Sequence, residues 1–300
     1  HAVWLEDKVW YLFYKMGFDH LSGDGGAKLL LNQKDPNSLR SQIDVMAIDN
    51  EVSVAVECKS SEKYSKRPQF QEELGKFSLL REGLANSINT QFTELTKKQI
   101  VLAMFTSNIA LSDNDKERAK QANVVIFDEH DLGYYRKLVN QIGPAAKYQL
   151  LSDMLPGKTI PGLTIRVPAV RTKMGGSFCY TFSISPEYLL KIAYISHRSK
   201  GKASDIDTYQ RMLSKKRLSD IGIYIRDDGI FPTNIVINIE KKRLNFQRIH
   251  QETVLEKDPD SGLLGWLDIK AAYKSAWIID GQHRLFAYSG HERATKCLFH

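Results

Sequence analysis

The stretch Gln42-Ile-Asp-Val-Met-Ala-Ile-Asp-Asn-Glu-Val-Ser-Val-Ala-Val-Glu-Cys-Lys59 decides how the first half of the chain is read. Two β-like runs, Gln42 to Ile48 and Val52 to Lys59, flank Asp49-Asn50-Glu51, whose residues suit a tight turn, so a hairpin is expected. Side chains alternate across a strand. Ser53, Ala55, Glu57 and Lys59 therefore share one face, and Val52, Val54, Val56 and Cys58 the other. If the hairpin pairs about Asn50, Asp44 lies on the neighbouring strand close to Glu57. Two carboxylates and an ammonium then occupy one small volume. Close carboxylates repel each other unless a cation sits between them, and hard oxygen ligands with open positions suit Mg2+ or Mn2+. Asp44 and Glu57 are thus the expected metal ligands. Lys59 would orient the nucleophile or support the oxyanion, and the expected chemistry is phosphodiester hydrolysis. The plain structural alternative is an exposed Glu57–Lys59 pair with Asp44 at a strand end.

Working outward, Trp4 to Met16 places apolar residues at helical spacing and Gly17 stops the run. Lys28 to Gln33 precedes a polar loop through Asp35 and Pro36, and Asp24-Gly25-Gly26 reads as a loop. Beyond the hairpin, Gln69 to Phe92 is helical, Gln99 to Phe105 is a short, continuous apolar strand, and Asp113 to Gln121 is a charged helix. Asn123 to Phe127 is a further strand and Asp131 to Ile142 a further helix. The expected order is αβββαβαβα, an α/β unit whose mixed sheet is covered by helices.

With these residues placed, the first half resembles the PD-(D/E)xK nuclease superfamily. Asp44 is the motif aspartate and Glu57-Cys58-Lys59 the (D/E)xK element, although Ile43 stands where many members have proline. The resemblance covers about residues 1 to 142 and implies a restriction-endonuclease-like αβββαβ core. It also implies that Glu6 brings a further acidic group to the site, and that Gln69 or Gln71 is the polar residue at the head of the next helix.

Between Gly143 and Pro168 the pairs Gly143-Pro144, Pro156-Gly157 and Pro161-Gly162 act as breakers. They suggest a first domain over 1–143, a linker over 144–164 and a second domain over 165–300. The second domain is expected to hold strands at Ser177 to Ile184, Ile235 to Ile239 and Ala276 to Ile279. Helices are expected around Pro186 to Ile195, from about Tyr209 to Arg226, and after Arg284. The strand at Trp277-Ile-Ile279 runs into Asp280-Gly-Gln-His-Arg284. A strand, glycine turn and helix start favour an anion, to which His283 and Arg284 would add donors. A structural turn capped by Asp280 explains the same residues.

Asp280-Gly281-Gln282-His283-Arg284 is identical to the motif that names the DGQHR family, which includes regulators of DNA phosphorothioation clusters and related genome-defence proteins. Tyr209-Gln210-Arg211, Gly229 to Val236 and Trp277 to Leu285 resemble successive elements of the ParB/sulfiredoxin-like α+β fold. That resemblance implies a nucleoside triphosphate, ATP or CTP, bound with magnesium by Arg211, Thr233, Asp280, Gly281, Gln282, His283 and Arg284. A single Arg284 stands where ParB-like turns carry an acidic residue and two arginines, which sets hydrolysis in question. The motif falls near the end of the chain, so the domain is expected to be incomplete on its C-terminal side.

Composition narrows the class without deciding it. Lys and Arg number 42 against 35 Asp and Glu, a net charge of +7, with clusters such as Lys215-Lys216-Arg217 and Lys241-Lys242-Arg243 that suit either a polyanion or a solvated face. Three scattered cysteines, Cys58, Cys179 and Cys297, fit a reducing cytoplasm, and no apolar run approaches the roughly 20 residues that span a bilayer. His20, His130, His197, His250, His291 and His300 show no ligand spacing. Trp4, Trp10, Trp266 and Trp277 are expected in the core, with Trp266 after a Gly-rich loop open to exposure. The combined expectation is a cytoplasmic, homo-oligomeric antiphage or genome-defence endonuclease that cuts double-stranded phage or modified DNA under nucleotide control, with no membrane partner. The alternative is a DNA-binding transcriptional regulator of a DNA-modification cluster whose nuclease-like domain does not cleave.

Overall fold

A computed structural model describes residues 2–23, 25–30, 40–66, 70–91, 99–194, 213–249, 262–296 and 298–299. The architecture is mixed α/β, and the chain divides into two compact units, residues 1–140 and 141–300.

The first unit runs α1 (Ala2–Lys15), β1 (His20–Leu21), β2 (Ala27–Leu30), β3 (Arg40–Ile43), β4 (Val45–Ile48), β5 (Val52–Ser65), α2 (Phe70–Gln91), β6 (Gln99–Ile109), α3 (Asp113–Gln121), β7 (Val124–Phe127) and α4 (Glu129–Ile142). Its main sheet has the order β1-β4-β5-β6-β7, antiparallel from β1 to β5 and parallel from β5 to β7. The helices and main strands follow the order read from the sequence; β1 is an additional short piece, β2 overlaps the run at Lys28 to Gln33, and the strand expected from Gln42 to Ile48 is broken by a bend at Asp44 into β3 and β4. β5 and β6 run several residues past their expected ends.

Strand β5 is buried on both faces from Val52 to Val56, as a central strand covered by helices on each side must be. On one face Ala55, Met46, Ile48, Leu102 and Met104 pack against Phe70, Leu74, Phe77, Leu84 and Ile88 of α2. On the other, Phe13 of α1 meets Phe105 edge-on at 6.4 Å, Phe105 stacks on Phe127 at 5.0 Å, and Phe127 meets Tyr135 of α4. Truncating one such fully buried side chain to alanine costs about 2–5 kcal/mol. Local signals fix the helix starts. Ser112 and Asp115 cap α3 reciprocally, and Asp128 and Asp131 exchange backbone N–H bonds of 3.3 and 2.9 Å at the head of α4.

The second unit contains α5 (Ala146–Met154), β8 (Ile165–Met174), β9 (Ser177–Phe182), α6 (Pro186–Ile192), β10 (Ala193–Tyr194), α7 (Lys215–Arg226), β11 (Val236–Ile239), β12 (Leu244–Arg248), β13 (Leu263–Ile269), β14 (Ala276–Asp280) and α8 (Gln282–Phe286). A four-stranded antiparallel sheet has the order β12-β13-β8-β9, and a three-stranded sheet the order β10-β14-β11, with β10 parallel to β14. The stretch expected as a linker, 144–164, holds α5, whose Leu150, Leu151 and Met154 are buried. Pro156-Gly157 follows the end of α5, and Pro161-Gly162 forms a turn before β8. Strands β8, β12 and β13 were not expected. In β13 Gly265 and the outward Leu264 and Trp266 blur the alternation, and Pro168 interrupts it in β8. Helix α8 begins at Gln282, ahead of the expected start after Arg284, because Gly281 takes a left-handed φ of 92° at the N-cap. Trp4 and Trp266 are 46% and 39% exposed, so neither is a core residue. Among the described residues no helix is long and apolar enough to cross a membrane.

Gly26 illustrates how tightly the hairpin is held. Its φ is +75°, and a Cβ there would lie 2.1 Å from the Ile43 carbonyl oxygen and 2.9 Å from that of Asp44. Gly26→Ala should therefore destabilise the first unit by more than the roughly 1–2 kcal/mol of a left-handed alanine. The clash falls on the backbone that carries Asp44. Denaturant unfolding checks the loss, and an unchanged midpoint would show that this backbone yields.

Candidate active site

Asp44 sits at the bend between β3 and β4. In the β4–β5 register Val45 faces Val56, and continuing it by one position sets Asp44 across from Glu57. The pairing inferred about Asn50 is therefore the one observed. One Asp44 carboxylate oxygen accepts the Cys58 N–H at 2.7 Å, tying the bend to β5. Lys59 Nζ donates to Glu57 Oε1 in an ion pair whose side chains both keep 19% exposure. The pair is more enclosed than the exposed Glu57–Lys59 contact that was the structural alternative. Glu57 and Lys59 share the face that packs on α2, while Cys58 turns to the α1 side and is buried.

The electrostatics tie further groups to this point. Burial pushes the Asp44 carboxyl above its usual range, against the Cys58 N–H and the Lys59 ammonium, which pull it down. Burial raises Glu57 too; Lys59 opposes that rise and the Asp44 and Glu73 charges add to it. Glu6, half-buried on α1, is raised by burial and then by Asp44 and Asp7, with Lys59 again opposing. Three carboxylates thus share the influence of Lys59, the cation common to the Asp44, Glu57 and Glu6 shifts, and the Glu73 charge acts on Glu57. Glu6 joins the cluster, as the resemblance implied. Glu73 was missed. The signal was available in helical phase, because Glu73 precedes buried Leu74 in the first turn of α2, whereas Gln71 is exposed. Gln69 lies outside the described residues.

The donor chemistry fits a divalent cation. In the contacts described, Asp44 and Glu57 each use one carboxylate oxygen and keep a second hard donor, in surroundings with surplus negative charge. Among the described residues, the group with three ligand atoms all within 4.8 Å of one another is Asp128, His130 and Asp131. Its two aspartates are accounted for as the reciprocal cap of α4.

In the second unit, Asp280, Gly281, Gln282, His283 and Arg284 form the expected strand, left-handed turn and helix start. Their contacts are largely internal. Arg284 Nη1 donates to the Thr233 carbonyl and hydroxyl oxygens, and Nη2 donates to Asp280 Oδ2 at 3.0 Å. His283 is buried, and its Nε2 accepts the Ser214 N–H at 3.0 Å, fixing the residue that caps α7. The motif thereby ties the approach to β11 and the start of α7 to β14. Thr233 and Arg284 come together as expected; Arg211 lies outside the described residues.

No curated protein matches the chain. Among solved structures, protein VC1899 from Vibrio cholerae is similar at 19% identity over 47% of this chain and 33% of that one, with a TM-score of 0.33. The chain thus spans about a third of that protein's structure. Residues 167–292 match the model of the DndB family, described as DNA-sulfur modification-associated, and this match supports a connection between the chain and DNA phosphorothioation.

Proposed function

We propose that the chain is a Mg2+- or Mn2+-dependent DNA endonuclease working in a DNA-sulfur-modification context, with its active site at Asp44, Glu57 and Lys59. The observation that carries this reading is the gathering of Asp44, Glu57 and Glu6 around one ammonium, with burial raising all three and the Glu73 charge adding to Glu57. Such a cluster opposes folding unless positive charge reaches it. Asp44 and Glu57 would hold the metal, with Glu6 beside them, and the bound ion would supply Lewis acidity at a phosphate. The Cys58 N–H orients Asp44. Lys59 carries the positive charge that would stabilise an anionic transition state, and releasing it from Glu57 would free Oε1 as well.

The match over 167–292 favours a second reading, a DNA-binding regulator whose first unit does not cleave. Incubation with plasmid and phage DNA separates the two. Cleavage that requires Mg2+ or Mn2+ and falls by about 10²–10³-fold in Lys59→Ala and Glu57→Ala supports the nuclease. Duplex binding without metal-stimulated cleavage supports the regulator.

Stability reports on the same carboxylates. A carboxyl group raised by folding carries no penalty below its unfolded pKa, where both states are protonated, and the full penalty above its folded pKa. Asp44→Asn, whose amide oxygen can still accept the Cys58 N–H, should therefore melt above the wild type at about pH 8. The gap should close toward about pH 4. Mg2+ should raise the wild-type melting temperature more than that of the variant. Equal melting at both pH values would remove the charge-burial argument.

Nucleotide control is proposed for the second unit, with Arg284 as the phosphate ligand. A triphosphate would have to take Arg284 Nη2 from Asp280, whose side chain is 72% exposed and free to swing away. Titration calorimetry with ATP and with CTP, in the wild type and in Arg284→Ala, checks this. The expected result is binding of one nucleotide that the substitution abolishes, and heat unchanged by the substitution would exclude the role.

A further inference from the structure

The four-stranded sheet of the second unit has a face whose side chains follow from its register. Arg171 and Lys173 of β8, Phe178 and Tyr180 of β9, and Phe246 and Arg248 of β12 share that face with Ala169, Gly265, Leu267 and Ile269. At one end the face is buried, at Ala169, Leu267 and Ile269; at the other, Lys173, Phe178 and Arg248 are exposed. None of the strand residues on this face is acidic.

The exposed end is built around a glycine. A Cβ at Gly265 would lie 2.4 Å from Phe246 Cζ and 2.5 Å from the Gln247 carbonyl oxygen. The missing side chain lets the Phe246 ring lie across β13, although β12 is not a neighbour of β8 or β9. Phe246 thereby reaches Tyr180 at 5.7 Å and the Arg171 guanidinium at 4.6 Å. Arg171 also lies 4.7 Å from the Phe178 ring. A guanidinium held between two rings keeps its N–H edge available for a phosphate.

From this arrangement we propose that the β8, β9 and β12 face is a docking surface for single-stranded DNA. Phe178, half-exposed at the rim, offers a ring on which a base can stack, and Arg171, Lys173 and Arg248 supply phosphate contacts. Charge of one sign interleaved with aromatic rings suits a polyanion with exposed π faces. A duplex keeps its bases stacked on each other and cannot use the rings, so the single-stranded form is preferred. DNA is the nucleic acid because every residue named lies within the segment matched by the DNA-sulfur modification-associated family. The inference shares with the proposed function the premise that DNA is the ligand, but it requires no cleavage.

The test is fluorescence anisotropy of the full chain, in EDTA, with a labelled oligothymidylate, a labelled duplex of mixed sequence and a labelled oligouridylate. The expected order is the DNA single strand tightest, with binding that weakens as salt rises. Phe178→Ala should weaken single-strand binding by about tenfold with no change in melting temperature, since its ring is exposed. Arg171→Lys should weaken it while leaving the net charge intact. Equal affinity in Phe178→Ala and Arg171→Lys, tighter duplex binding, or tighter RNA binding each overturns the proposal. Single-strand binding without nuclease activity would overturn the cleavage reading and leave this surface standing.

Discussion

A strand buried on both faces has one use for its side chains, packing, and both its edges must find hydrogen-bonding partners within the sheet. β5 meets that demand with β4 on one side and β6 on the other, and the antiparallel pairing to β4 is what places Asp44 opposite Glu57. Slipping that register by one residue would turn Glu57 and Lys59 toward α1 and bring Cys58 to the α2 face. The valines and alanine of β5 make such a slip costly, because the same shift would exchange the residues packed against α2 for those packed against the aromatic chain of Phe13, Phe105 and Phe127. The geometry of the polar cluster is therefore enforced from the apolar part of the strand.

Much of the first unit was legible because its elements are long and their periods clean. Asp113 to Gln121 carries its own capping box, and Val52 to Lys59 sits beside a turn whose residues leave little choice. What escaped was charge brought from a distance. Glu73 belongs to a helix whose start is set by packing of Phe70 and Leu74; its phase beside Leu74 turns it toward the sheet, but phase alone does not say that the group it meets there is Glu57. Glu6 was named through resemblance and not through spacing, since the phase of α1 alone does not show which sheet edge it reaches.

The second unit was less legible for two physical reasons. Proline and glycine read as breakers, yet in β8 and β13 they sit where a strand tolerates them: Pro168 is exposed, and Gly265 makes room for Phe246. Strands with an exposed face that is itself partly apolar, as at Val170, Leu264 and Trp266, also lose the alternation by which a strand is recognised. The Asp280 to Arg284 turn was placed correctly in outline. Its contacts turn inward to Ser214 and Thr233, so the motif contributes to holding its own unit together whatever else it binds.

Cys58 stands between Glu57 and Lys59 in sequence but on the opposite side of the sheet, and its thiol is buried with the surrounding carboxylates adding to the burial that pushes its pKa up. A thiol held that way stays protonated and inert, because the thiolate is the reactive form. The silence toward alkylating reagents expected of it is thus tied to the closure of β5 between its helices. Any opening of that region, by mutation or by a bound ligand, would be recorded as a covalent mark at the one residue whose backbone N–H holds Asp44 in place.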